Sequence, residues 1–148
     1  MLAAKKKGAQ AMPIHLHLKD YLAMVRHARD MAPVEDCGLI GGRIDGEDKI
    51  IEKVFYLTNV DHSEEHFSLD PKEQFDAVRA LREQGLELLG NWHSHPASPS
   101  RPSEEDKRLA FDTKASYLIL SLHGGEPVLN SFQISRDKTV TKEDLRIR

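Results

Sequence analysis

The stretch Leu86-Glu87-Leu88-Leu89-Gly90-Asn91-Trp92-His93-Ser94-His95-Pro96 reads as a β-strand that runs into a proline, and seven residues further on Ser103-Glu104-Glu105-Asp106 opens a helix. Side chains two apart on a strand point to the same face. His93 and His95 can therefore present ring nitrogens to one point, while Trp92 and Ser94 face the other way. Pro96 fixes the backbone at the strand end, and Ala97 to Pro102 forms the loop through which the chain turns back. Asp106 falls in the first turn of the next helix, where it can add a carboxylate. Two imidazoles and one carboxylate are a frequent ligand set for a catalytic metal with an open coordination position. Zinc in such a site lowers the pKa of a water from 15.7 to about 7. Each part also has a plainer reading: His-x-His is often a polar strand edge, and Ser-x-x-Asp is close to a common capping arrangement. The conjunction of pair, proline, loop and capped helix, in this order, points to the metal.

Outward from this stretch, Leu18, Tyr21, Leu22, Val25 and Ala28 fall at helical spacing, and Pro33 stops that helix. Cys37 to Gly42 and Ile50 to Leu57, separated by Asp45-Gly46, read as a β-hairpin. Asp70-Pro71-x-Glu73 is a helix start, with Phe75, Val78 and Leu81 as its buried stripe and Gly85 at its end. The helix at Ser103 is expected to reach about Thr113. Tyr117 to Leu122 and Val128 to Ile134 read as strands around the turn His123 to Pro127. The order α, β, β, α, β, α, β, β predicts an α/β fold with a single mixed β-sheet flanked by helices. Residues 1–13 read as a disordered tail and 138–148 as a charged C-terminal tail, leaving one domain over 14–137.

At 148 residues the chain has the size of one domain with a real core. A formal net charge of −3 excludes the basic field of a nucleic-acid binder. No apolar run approaches the roughly 18 residues of a membrane span, and no secretory signal pattern precedes the domain. The single cysteine, Cys37, closes no disulfide within the chain. These features lead us to expect a cytoplasmic protein with neither nucleic acid nor membrane as partner. Nothing in the sequence specifies an oligomeric state.

The pattern His93-Ser94-His95-Pro96, six residues, Ser103-Glu104-Glu105-Asp106 resembles the signature of the JAMM/MPN+ (Mov34/PAD-1-like) metalloproteases, without departure in spacing. Pro33-Val34-Glu35-Asp36-Cys37-Gly38 is similar to the context of that family's upstream glutamate. Asn59 to Pro71, with Phe67 and Asp70-Pro71, looks like its compact bacterial branch. The resemblance covers about residues 16 to 135. It implies a cytidine-deaminase-like sandwich and a Zn2+ ion on His93, His95 and Asp106. It implies that Glu35 takes a proton from the water and delivers it to the leaving amine, and that Ser103 donates a hydrogen bond to the oxyanion. The implied activity is zinc-dependent hydrolysis of a peptide or isopeptide bond after the Gly-Gly tail of a ubiquitin-like sulfur-carrier protein. An extended tail could add to a sheet edge beside the metal.

Three other readings stay open on the residues alone. One is a non-catalytic MPN-type scaffold. Another is a non-haem iron enzyme, since two histidines and a carboxylate also describe its facial triad. The third is a cysteine hydrolase using Cys37, although a lone cysteine in an apolar run is more often a core residue. His15 and His17 alternate near the tail with no carboxylate at useful spacing, and His62 and His66 read as surface residues.

Overall fold

The computed structural model describes residues 12–148. Eight strands form one sheet: β1 (Pro13–Leu16), β2 (Cys37–Asp45), β3 (Asp48–Leu57), β4 (Glu87–His95), β5 (Ser116–Ser121), β6 (Val128–Ile134), β7 (Val140–Lys142) and β8 (Asp144–Ile147). Among the described residues three helices accompany them: α1 (Leu18–Met31), α2 (Pro71–Glu83) and α3 (Glu104–Arg108). The strand order is β7-β6-β5-β4-β2-β3-β1-β8. β4 pairs with β5 in parallel, as β1 does with β3 and β8, and the remaining neighbours are antiparallel. The mixed α/β sheet with flanking helices is the expected one.

Both faces of the sheet are covered. Leu39 and Ile40, neighbours in β2, point to opposite sides and enter different clusters. Ile40 joins Met24, Val25 and Ala28 of α1, together with Trp92, Leu118 and Leu120. Leu39 joins Leu57 and Ala77 of α2, with Phe55, Leu69 and Val78 against them. Two of the expected helix stripes shift. On α1 the buried residues are Met24, Val25 and Ala28, while Leu18 and Leu22 are exposed. On α2 they are Ala77 and Leu81, and Phe75 lies outward, beneath the Arg79 guanidinium.

The helix at Ser103 is shorter than expected, ending at Arg108 rather than near Thr113. Leu109 and Phe111 are exposed, so the segment has no buried stripe to carry it further. The Asp112 carboxylate then accepts from Lys114 N–H and Ala115 N–H at 2.9 and 3.2 Å, which turns the chain away.

The expected N-terminal tail falls mostly on residues 1–11, outside the described residues. At its end, Pro13 already begins β1. The expected charged C-terminal tail instead contains β7 and β8. These strands lie at opposite edges of the sheet, yet only Glu143 separates them in the chain. The sheet therefore curls until its edges meet at this residue. Glu143 is buried, its N–H donates to Ser131 O at 2.8 Å, and its carboxylate accepts from Ser131 Oγ at 2.6 Å. The Lys49 ammonium stands 3.4 Å from the other carboxylate oxygen and donates to Lys114 O and Ser116 Oγ. A buried ion pair satisfied on both sides closes the fold.

Candidate metal centre

The register of β4 places its two histidines. Cys37 pairs with His93 across the β2–β4 ladder, and Ile119 pairs with it on the β5 side. Trp92, one residue earlier, is fully buried on the reverse face, where its indole N–H donates to Phe55 O at 3.0 Å. That bond passes directly over Gly38, where a Cβ would collide with the Phe55 carbonyl and the indole nitrogen. The glycine thus lets tryptophan lock the strand whose next residue is His93.

His93 Nε2 and His95 Nε2 are 3.0 Å apart, and Asp106 Oδ2 lies 3.1 and 3.2 Å from them. Among the described residues this is the cluster of histidine and carboxylate groups arranged to hold a metal ion. The donor set fits one. A tetrahedral ion with ligands at 2.0–2.1 Å has donor–donor edges of about 3.3 Å. The tautomer of His95 agrees. His95 Nδ1 lies 2.9 Å from Pro99 O, an acceptor only, so it must carry the proton there. In the neutral ring the lone pair on Nε2 is then aimed at a carboxylate and at a second imidazole nitrogen, a repulsion that a proton shared with Asp106 relieves in the metal-free chain and that a cation at the centre would relieve with three bonds.

The electrostatics follow from burial and this crowding. Burial holds the His93 imidazole below its ordinary pKa. Burial acts the same way on His95, but the hydrogen bonds to Asp106 and Pro99 outweigh it and raise the pKa. Asp106 would also be raised by burial, yet its hydrogen bonds to His93 and His95 keep it well below the usual carboxylate range.

Glu35 sits on the segment before β2 and is 3 % exposed. Its Oε1 has no hydrogen-bond partner. Burial pushes its pKa from 4.5 to about 8, against the attraction of His95 and with the repulsion of Asp106. Ser103 caps α3: its Oγ accepts from Asp106 N–H at 3.0 Å, and its own N–H donates to Asp106 Oδ2 at 2.9 Å. The structure thus brings His93, His95, Asp106 and Ser103 into direct contact, and sets Glu35 within electrostatic reach of them.

The loop between His95 and Asp106 is anchored rather than free. Ser121 Oγ donates to Ser98 O, Ser100 Oγ to Ile119 O and Asn130 Nδ2 to Ser100 O. Two further contributors carry no site role in the sequence reading, although both lie in the segment that resembles the bacterial branch. Phe67 stacks on the His93 ring, with centroids 4.5 Å apart. Asn59 is buried and uses its whole amide: Nδ2 donates to Glu35 O and His66 O, and Oδ1 accepts from Asp61 N–H and Ser68 N–H. An Asn in a turn-rich segment is the signal that marks such a residue. Beside His93 and Asp106 opens a cavity of about 300 Å³, walled by Phe67, Leu109, Ile119 and Ile134, with Asn91 and Gln74 as polar members.

Cys37 is fully buried, and burial pushes its thiol to about 12, which removes the thiolate a nucleophile needs. His15 of β1 and His17, just after it, are committed to Asp48 and Glu52 of β3, and His66 to Asp61. No described helix is long and apolar enough to cross a membrane.

Over residues 17–135 the chain matches the family described as prokaryotic homologs of the JAB domain. The chain belongs to this JAB branch of the JAMM/MPN family. It is 34 % identical over 128 residues to the CysO-cysteine peptidase of Mycobacterium tuberculosis, covering 84 % of each chain. It is 33 % identical over 86 residues to the desampylase of Pyrococcus furiosus, covering 58 % of this chain and 59 % of the relative. Its fold is similar to the solution structure of a protein from Desulfitobacterium hafniense, with a TM-score of 0.83 at 51 % identity over 91 % of this chain and 92 % of that one. As a JAB-family member with peptidase relatives, it is a JAMM-type hydrolase acting on peptide or isopeptide bonds. The non-catalytic scaffold reading is thereby set aside.

Proposed function

We propose that the protein is a zinc-dependent metallopeptidase that cuts after the Gly-Gly tail of a ubiquitin-like sulfur-carrier protein. The observation that carries this reading is the convergence of His93 Nε2, His95 Nε2 and Asp106 Oδ2 within 3.0–3.2 Å. These three residues would hold the zinc ion. When bound, zinc supplies a Lewis acid that makes water acidic and polarises a carbonyl.

The chain's own residues supply the rest. Glu35 is the base: its unpartnered Oε1 takes the proton from the attacking water and passes it to the leaving amine. A carboxyl held near 8 by burial is mostly protonated at neutral pH and in that form takes no proton; positive charge at the triad would lower it towards the working range, where the carboxylate is available as the base. Ser103 Oγ accepts a hydrogen bond from Asp106 N–H, which leaves its hydroxyl proton free to be donated to the oxyanion. Phe67 and the wall of the cavity keep bulk water from the reacting carbonyl.

The names of the two relatives, a CysO-cysteine peptidase and a desampylase, support a conjugate of a small carrier protein as substrate. The cavity beside the triad supports an extended tail as the form in which that substrate is presented. The choice of zinc over iron is supported by the close His-x-His pair and the serine before the aspartate. The reading is tested by incubating the zinc-loaded protein with sulfur-carrier proteins extended beyond Gly-Gly and following their masses. Zinc-dependent trimming at Gly-Gly, lost in Glu35→Gln, is the expected result. No trimming of any candidate removes the substrate, and oxygen consumption with bound iron removes zinc as the metal.

A further inference from the structure

On the reverse face of β4, behind the triad, lies a set of polar side chains that the proposed reaction leaves unused. β2 and β4 pair in antiparallel fashion as far as Cys37 and His93. One residue beyond, the ladder changes form. Ser94 N–H donates to Asp36 O at 2.9 Å, but Asp36 N–H donates to Ser94 Oγ at 2.8 Å in place of a backbone carbonyl, across 58 residues of chain. The Asp36 carboxylate is held at both oxygens. Oδ1 accepts from Cys37 N–H at 3.0 Å, and Oδ2 accepts from His27 Nδ1 at 2.5 Å. Asp36 is 1 % exposed and Ser94 fully buried. The His27 ring rests on Tyr56, whose ring in turn meets Trp92 edge-on.

The placement of this network matters more than its strength. Asp36 directly follows Glu35, and Ser94 stands between His93 and His95. Neither side chain reaches the reacting atoms, because both point to the other face. Glu35 is tied on its remaining sides to the loop after β3, through Glu35 N–H to Ser63 O and Asn59 Nδ2 to Glu35 O. That loop reaches the histidines by the stacking of Phe67 on His93. The Asp36–Ser94 exchange is therefore the hydrogen-bonded link nearest to Glu35 between the backbone that carries the base and the backbone that carries two of the proposed ligands. A one-residue slip there would reverse the faces of the side chains on both segments.

We infer that Asp36 and Ser94, steadied by His27, are positioning residues that set the placement of Glu35 relative to His93 and His95. This rests on the function proposed above. Catalysis by a base is sensitive to its placement: a displacement of about 1 Å costs up to roughly a hundredfold. Ligand binding by His93, His95 and Asp106 does not depend on Glu35 in the same way, so the two properties should separate.

The experiment uses the full chain in two forms. In the cobalt(II)-loaded protein, the pseudocontact shift of the Glu35 amide reports its position relative to the ion without any turnover. In the zinc-loaded protein, kcat and KM are measured on a carrier protein extended beyond Gly-Gly. Ser94→Ala is expected to move the Glu35 shift and lower kcat about tenfold or more, with KM and metal affinity changed by less than about twofold. Ser94→Thr, which keeps a hydroxyl on the same carbon, is expected to restore both. His27→Ala, at a partly exposed position, gives the milder form of the same defect should a core substitution impair folding. An unmoved Glu35 shift in Ser94→Ala overturns the assignment. So does Ser94→Thr as impaired as Ser94→Ala, or an equal loss of metal affinity, which would make the network a support of the ligands instead. If the shifts respond but no carrier is cut, the substrate reading fails and the positioning assignment stands. Failure of the native chain to bind cobalt removes both.

Discussion

Ser103 and Asp106 exchange two hydrogen bonds, and the oxygen of Asp106 that receives Ser103 N–H is the same one that lies 3.1 and 3.2 Å from His93 and His95. The helix cap and the candidate metal site thus share one atom. Folding α3 places the proposed third ligand with no further conformational freedom, and the charge at the helix N-terminus is met by the same carboxylate. In most proteins a capping box and a ligand set are alternative explanations of Ser-x-x-Asp; here one geometry satisfies both.

This sharing separates two substitutions of Asp106. Asp106→Asn keeps an oxygen for Ser103 N–H but removes the negative charge, so the metal-free fold should hold while zinc affinity falls about a hundredfold or more. Asp106→Ala removes both and should cost the metal-free protein about 1 kcal/mol in addition. Zinc competition titrations and denaturant unfolding of the chelated proteins read the two effects apart. Equal stability of the two variants would show that the cap contributes nothing.

Ser103 allows the complementary separation. Ser103→Ala should lose about 1 kcal/mol of stability through the cap and about a hundredfold in kcat through the oxyanion contact. Ser103→Asp restores a capping acceptor but has no proton to donate. It should recover stability and stay inactive. Recovery of activity in Ser103→Asp would remove the hydroxyl from the reaction.

Removing the metal should abolish hydrolysis, and zinc should restore it. Binding should also stabilise the fold, by about 2.7 kcal/mol when free zinc is at a hundred times its dissociation constant. Thermal unfolding with and without chelator measures this. Full activity in the presence of a chelator would sink the metal reading and reopen the remaining alternatives.

Much of the metal site was legible because its parts are local. His-x-His on a strand, a proline stop and a capped helix each follow from rules of two to four residues, so spacing alone brought His93, His95, Ser103 and Asp106 together. Glu35 was legible only through family resemblance, since its burial depends on a loop nearly thirty residues further on. The helix stripes were misjudged where an apolar residue had an exposed alternative: Phe75 lies under Arg79 and not in the core. β1, β7 and β8 were missed because strands of three or four residues carry little periodicity. Their partners lie far away in the chain, and His15, Thr141 and Arg146 look like tail residues until those partners are known. Nor does the sequence reveal that Lys49 and Glu143 are inside, because charged residues are seldom buried unless paired.

That buried pair yields a prediction about folding alone. Glu143→Ala leaves the Lys49 ammonium, 6 % exposed, without its counter-charge and frees Ser131 Oγ. It should cost about 3–5 kcal/mol, and with it the seam at which the sheet closes. Replacing both residues, as Lys49→Met with Glu143→Leu, should recover most of that loss, because the uncompensated charge goes too. Urea unfolding of the single and double variants decides the matter. A double variant no better than the single would show that the hydrogen bonds, and not the charge, hold the seam.

Glu35 links the site to pH. Its carboxyl ionises near 4.5 in the unfolded chain but only near 8 in the metal-free fold. The folded state therefore binds the extra proton, so the stability this group contributes is complete below about 4.5 and is lost as pH rises towards 8. The loss is bounded at about 5 kcal/mol, and water entering the site should hold it to a few. Asp106 does not share this window: its folded pKa is depressed, so its contribution is lost only in acid. His95 shifts in the same direction as Glu35, which is why the comparison must be made against Glu35→Gln and not against pH alone. In chelated protein, Glu35→Gln should match the native chain near pH 5, exceed it in stability near pH 8.5, and remain inactive with zinc. Parallel stability curves for the two proteins across that range would show that Glu35 ionises as freely in the fold as in water, and would remove burial as the source of its character.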